Sequence, residues 1–257
     1  MPQSLIPLSV SLVIFVCTFA AALLGMALRK RLPHDHLTED SKDVIQLIMG
    51  LIATMAALVL GLLIASANSS YQTESDELQR ASASIVELGG LLAHYGSEAT
   101  ELRHRLHGAV MAAREKIWRK GATPPEKPGP AGIPPESSAF YESIARLSPS
   151  TDAQRFIQQR ALEISSSLRQ TRALLSEQIA SSLPRPFVTL LAVWISLLFL
   201  GFGLFARANM TVVAAFLIGA LSVSSAIFLI LELNDPFGGL MQISDAPLRN
   251  ALATISE

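Results

Sequence analysis

The stretch "VIQLIMGLIATMAALVLGLLIASANSSYQTESDELQRASASI", Val44 to Ile85, carries two different helical patterns with no proline between them. From Val44 to Ala67 there is no charge and a single Gln, near the start. About 20 apolar residues at ~1.5 Å rise suffice to cross the hydrocarbon core of a bilayer, so this half reads as a membrane span. Past Asn68 the charges return and the apolar residues space out. Leu78, Ala81 and Ile85 stand three and four apart, the spacing of one face of a water-exposed helix. A membrane helix that runs on as an amphipathic stalk is the expectation on which the rest of the chain is hung.

Three further stretches have the length and composition of spans: Leu5 to Leu28, Phe187 to Ala206 and Met210 to Leu231. The first is not read as a signal peptide. It has no basic residue before it, its apolar core is long, and Arg29, Lys30 and Arg31 follow it. Half of the 257 residues are apolar and only 16% are charged, which does not suit an ordinary soluble domain. A net charge of -1 offers no general attraction for nucleic acid. The single cysteine, Cys17, lies within the first span and cannot form an intramolecular disulfide.

Between the second and third spans lie residues 68–183, with 13 Lys/Arg and 13 Asp/Glu interspersed. Leu78, Ala81, Ile85, Leu88, Leu92, Tyr95, Ala99, Leu102, Leu106, Ala109, Ala113 and Lys116 form one heptad seam. Gly89-Gly90 is the expected bend in it. A second seam runs through Ala153, Ile157, Ala161, Ile164, Leu168, Thr171, Leu175 and Ile179, with Ser150, Thr151 or Asp152 as its N-cap. A loop with six prolines, residues 121–136, separates the two, and a short helix around Ser137 to Leu147 leads into the second. The expected fold class is all-α: four transmembrane helices with a long antiparallel helical hairpin inserted between the second and third. Two helices bury only a stripe each, so the hairpin calls for further partners, and a homo-oligomer supplies them.

The resulting divisions are 1–43 for the first transmembrane helix and its basic loop, and 44–67 for the second. Residues 68–183 form the hairpin, 184–232 the third and fourth transmembrane helices, and 233–257 a turn and amphipathic tail. Arg29, Lys30, Arg31 and Lys42 in the first loop, and Arg207 in the turn between spans three and four, place both short loops in the cytoplasm. The termini and the hairpin are then outside.

Two stripes of small residues run along the spans: Ala53, Ala57, Gly61 and Ala65 in the second, and Ala215, Gly219, Ser222 and Ala226 in the fourth. Small residues let helix backbones approach closely in lipid, or they line a narrow pore. No span has a charge in its central third, which argues against a proton relay. Glu101, His104 and His107 share a helix face but face no matching ligands in the second seam, and "PHDH", Pro33 to His36, reads as a turn. No phosphate-binding glycine loop, nucleophile-and-base pair or zinc spacing is present, so neither an enzyme nor a cofactor is expected.

The segment "LELNDPFGGL", Leu231 to Leu240, invites two readings. Glu232, Asn234 and Asp235 could gather oxygen atoms for an inorganic cation at a pore mouth. The plainer reading makes Asp235 an N-cap, Pro236 a first-turn residue and Gly238-Gly239 a reversal. After it, Ser244 or Asp245 caps a short helix whose apolar face is Leu248, Ala251, Leu252 and Ile255. That tail is expected to lie on the membrane surface or against the stalk.

Several segments carry a resemblance: "GLIATMAALVLGLLIASANSSY", "REKIW", "LSPSTDAQR", "LPRPFVTLLAVWISLLFLGFGLFARAN" and "AIFLILELNDPFGGLMQISDAPLRNAL". Together they resemble the bacterial bestrophin-like membrane proteins of unknown function, over nearly the whole chain. The resemblance implies a four-span helical protein of the bacterial inner membrane. True bestrophins are pentameric anion channels with aromatics in the pore neck, a calcium-binding acidic cluster after the last span, and both termini in the cytosol. Here the second span has no aromatic residue, and "LNDPFGG" offers one acid. The expected function is a self-associating membrane sensor or scaffold that binds a partner. The alternative is a bestrophin-like oligomeric ion channel, with spans two and four lining the pore.

Overall fold

The computed structural model describes residues 6–31, 39–118, 135–180 and 185–256, and every regular element among them is helical. The helices are α1 (Ile6–Arg29), α2 (Glu39–Tyr95), α3 (Thr100–Trp118), α4 (Pro135–Ala145), α5 (Asp152–Ala180), α6 (Arg185–Phe205), α7 (Met210–Leu233) and α8 (Ala246–Ser256). Four of them, α1, α2, α6 and α7, are long and apolar enough to cross a membrane. The loop at 121–136 falls outside the described residues except for its last two, as does the turn at 33–36.

Helix α2 is continuous for 57 residues, about 85 Å, through the change from membrane to stalk pattern. Gly89-Gly90 does not interrupt the helix. The helix ends instead at Gly96, whose φ of 120° is open to glycine and closed to most other residues. A single 3₁₀ turn, Ser97–Ala99, then leads into α3. Gly89 has a different use: a methyl there would run into the side chain of Ile255 in α8. The glycine is a seat for the tail.

The chain divides into two compact units. One comprises residues 1–71 and 183–235, the other 72–182 and 236–257. In the first, α1 and α6 approach so closely that methyl groups at Gly25 and Gly203 would collide with the backbone of Leu200 and Ala22 respectively. The Ser224 hydroxyl of α7 donates to the Ser11 carbonyl of α1 at 2.6 Å, a cross-helix bond inside the spans. The guanidinium of Arg29 donates to the carbonyl of Phe205 at 2.7 Å and so satisfies the end of α6. Along α2, Met49, Ala56, Leu63 and Ala67 pack with Leu191, Ile195 and Leu198 of α6 and Ile230 and Leu233 of α7.

In the second unit α2 and α5 run antiparallel. Arg160 pairs with Glu87 at 2.9 Å, while the earlier Gln154 donates to the carbonyl of the later Tyr95 at 3.0 Å. Thr151 is the N-cap of α5, its hydroxyl accepting from the Gln154 N–H at 3.1 Å, and the Gln154 side chain in turn accepts from the Ser150 N–H at 2.8 Å. The amide of Gln158 closes the end of α4 by donating to the carbonyls of Ile144 and Leu147. Leu78, Ile85, Leu88, Leu92, Tyr95, Ala99, Leu102 and Leu106 are buried along the first seam. Beyond Leu106 the seam departs from the heptad. Val110 is buried while Ala109 and Lys116 are exposed, because α3 buries Leu102, Leu106 and Val110 in steps of four where the heptad alternates four with three. In the second seam Ala161 and Ile164 are buried, Ile157, Leu168 and Thr171 half-buried, and Ala153 exposed; the side chains of Leu175 and Ile179 lie outside the described residues.

Candidate functional site

Two places have the position and chemistry for function. The first is the outer face of α2 within the spans. Its buried stripe repeats every seven residues at Met49, Ala56 and Leu63. Opposite that stripe, Leu47 is 78% exposed, Leu51 62%, Leu58 74% and Leu62 70%. Methyl groups added at Gly50 or Gly61 would meet nothing within 4 Å. Only 17% of the apolar window of α2 is buried within the chain, against 33% for α1. The second span is therefore the one least covered by its own subunit.

The small-residue stripe of α2 turns toward this open side. Ala53 is half-buried, whereas Ala57, Gly61 and Ala65 are exposed. On α7, Ala215 and Ser222 are exposed and Ala226 is half-buried, and a methyl at Gly219 would come within 3.2 Å of the Phe199 ring. The close helix crossing of the spans occurs elsewhere, at Ala22, Gly25 and Gly203. Its signal in the sequence, "AAALLG" in α1 and "GFG" in α6, is shorter than either stripe.

The second place is the segment after α7. Asn234 is the C-cap of that helix, its N–H reaching the Ile230 carbonyl at 3.2 Å, and the Asp235 N–H reaches the Glu232 carbonyl at 3.1 Å. Asp235 thus closes one helix and does not open another: Pro236 to Gly238 form a turn and no helix starts until Ala246. Gly238 and Gly239 take no positive φ, so the reversal does not depend on glycine conformations. Glu232 is 2% exposed and lies within the unit formed by the spans, not at an open mouth. Among the described residues no three His, Cys, Asp or Glu side chains converge as metal ligands.

What the segment does make is a fastening onto α3. The ring of Phe237 stands edge-on to Trp118, with centroids 5.6 Å apart and planes at 86°. The indole N–H of Trp118 donates to the Ile243 carbonyl at 2.9 Å, and the Ile243 N–H donates back to the Pro236 carbonyl at 2.8 Å. Arg114 pairs with Asp245 at 2.7 Å. With that carboxylate engaged, the Ser244 hydroxyl accepts the Ala246 N–H at the start of α8, at 3.2 Å. Leu248, Ala251, Leu252 and Ile255 are all buried, and Arg103 reaches the Ile255 carbonyl at 3.5 Å. Of the two resting places open to the tail, it takes the stalk.

Segments far apart in sequence, "REKIW" and "DPFGGLMQISDAPLRNAL", thus meet in one assembly. A family model, the bestrophin-like domain, matches residues 16–248 and so takes in the first segment and the second as far as Leu248. The chain belongs to the bestrophin-like family. Solved structures agree at the level of fold. Two single-residue variants of a bacterial bestrophin homologue from Klebsiella pneumoniae align with TM-scores of 0.65 each, at 12% and 13% identity. The alignments cover 95% and 96% of this chain and 97% and 99% of theirs. A further membrane-protein crystal structure aligns with a TM-score of 0.66 at 12% identity, covering 95% of this chain and 96% of that one. No curated protein sequence matches the chain.

Proposed function

We propose that this bestrophin-like protein is the subunit of an oligomeric ion channel of the bacterial inner membrane, with α2 facing the shared axis. The observation that carries the reading is the bare face of α2. A span that leaves Leu47, Leu51, Leu58 and Leu62 uncovered, while its opposite face is packed, is built to meet something other than its own chain. Copies around an axis use such a helix twice, once against neighbours through Ala57, Gly61 and Ala65, and once as the wall of the path. The wall is apolar, so the gate works through wetting and not through a charged ring. Family membership and the fold shared with a bacterial bestrophin homologue favour this over the sensor or scaffold reading. The fastened tail and the stalk then serve as the channel's frame.

Purified protein reconstituted into liposomes tests the proposal by ion flux. The wild type is expected to release a trapped inorganic ion, and Leu58→Thr to release it faster by making the constriction easier to wet. Flux at the level of empty vesicles, from correctly folded oligomer, would return the weight to a non-conducting scaffold.

A further inference from the structure

Beside the C-terminal end of α1 lies a cleft of about 380 Å³, lined by Leu23, Met26, Ala27, Lys30, Arg31 and Ala208. Lys30 and Arg31 form a turn after the helix, their N–H groups donating to the carbonyls of Ala27 and Leu28 at 3.1 and 2.9 Å. Arg29, next to them, is committed to the Phe205 carbonyl. Lys30 and Arg31 are exposed, and among the described residues neither side chain has an ion-pair partner. Two cations thus line a cleft whose other lining residues, Leu23, Met26, Ala27 and Ala208, are apolar. Leu23 is seven residues before Lys30, about 10 Å along the helix axis. One polar headgroup region is about 5–8 Å thick, so a residue roughly 10 Å below the cations lies at acyl-chain depth.

We propose that this cleft seats a phospholipid with an anionic headgroup, its phosphate between Lys30 and Arg31 and an acyl chain against Leu23 and Ala27. Cations at a span terminus attract the anionic surface of a membrane leaflet, and a pocket between helices turns that attraction into a site. The apolar wall selects a lipid over free phosphate, which has nothing to place there. The turn that supplies Ala208 also carries Arg207, an exposed cation outside the cleft.

Thermal melting of the full chain in neutral detergent tests the site, because a ligand of the folded state raises the melting temperature. Micelles carrying phosphatidylglycerol are expected to raise it by a few degrees more than micelles carrying phosphatidylcholine. Lys30→Gln with Arg31→Gln should reduce the shift to the phosphatidylcholine level, while Arg207→Gln keeps it. Native mass spectrometry of the same samples should show phosphatidylglycerol retained by the wild type and lost from the double variant, a readout independent of stability. Equal shifts from both lipids would overturn the proposal. So would retention of the lipid by the double variant, an equal loss in Arg207→Gln, or the same shift from inorganic phosphate alone.

Discussion

Single residues decide where these helices can touch. Gly203 lies against the Ala22 backbone with no room for a methyl, whereas Gly50 has open space around it. Gly203→Ala should therefore destabilise the spans by about 1–3 kcal/mol, the usual cost of overpacking, while Gly50→Ala should be neutral or better in the same detergent unfolding assay. Tyr95 presents a different case. Its side chain is buried and its hydroxyl has no hydrogen-bond partner among the described residues, and burial followed by the Glu98 carboxylate raises the phenol above its ordinary pKa of 10.0. A raised pKa means the fold favours the neutral phenol. Its contribution is fully present below about pH 10 and is lost as the pH climbs through the raised value. Tyr95→Phe should remove that alkaline loss of stability and, since no hydrogen bond is broken, leave neutral-pH stability unchanged or higher by about 1 kcal/mol. Parallel melts of the two proteins from pH 8 to pH 11 measure both effects.

Elements show what a sequence can and cannot disclose. The four spans and the apolar face of α8 were legible because each rests on local periodicity and length alone. The seam held from Leu78 to Leu106 for the same reason. It fails past Leu106 because α3 buries Leu102, Leu106 and Val110 in steps of four, a drift that a strict seven-residue repeat does not follow. Asp235-Pro236 has the form of a helix start yet makes a turn, because cap chemistry is the same at several kinds of turn. Only the tertiary partners of Phe237, Ile243 and Asp245 reveal that the segment is fastened to α3. Trp118→Phe keeps a ring opposite Phe237 but leaves the Ile243 carbonyl without its donor, and should cost about 1 kcal/mol. Asp245→Asn should cost less than about 1 kcal/mol, because the Arg114 pair is partly solvated. Hydrogen exchange at α8 measures both, with faster exchange expected mainly for Trp118→Phe. Equal exchange in all three proteins would mean that the fastening does not hold the tail.

At the scale of the whole molecule, two arguments about orientation point in opposite directions. Arg29 to Arg31 and Arg207 place the short loops inside and the stalk outside, whereas the true bestrophins' arrangement, with both termini in the cytosol, would put the segment after two spans there too. We expect the charge rule to hold. In a Cys17→Ser background, Glu98→Cys should react with an impermeant thiol reagent in intact cells, and reaction only after permeabilisation would reverse the orientation. The central claim, that α2 lines a conducting path, is tested most directly by single-cysteine block of the current in planar bilayers. In the same background, Leu51→Cys, Leu58→Cys and Leu62→Cys should be blocked by a charged thiol reagent, and Leu190→Cys on the exposed side of α6 should not. Currents that no α2 cysteine can block, or an oligomer that carries no current, would contradict it.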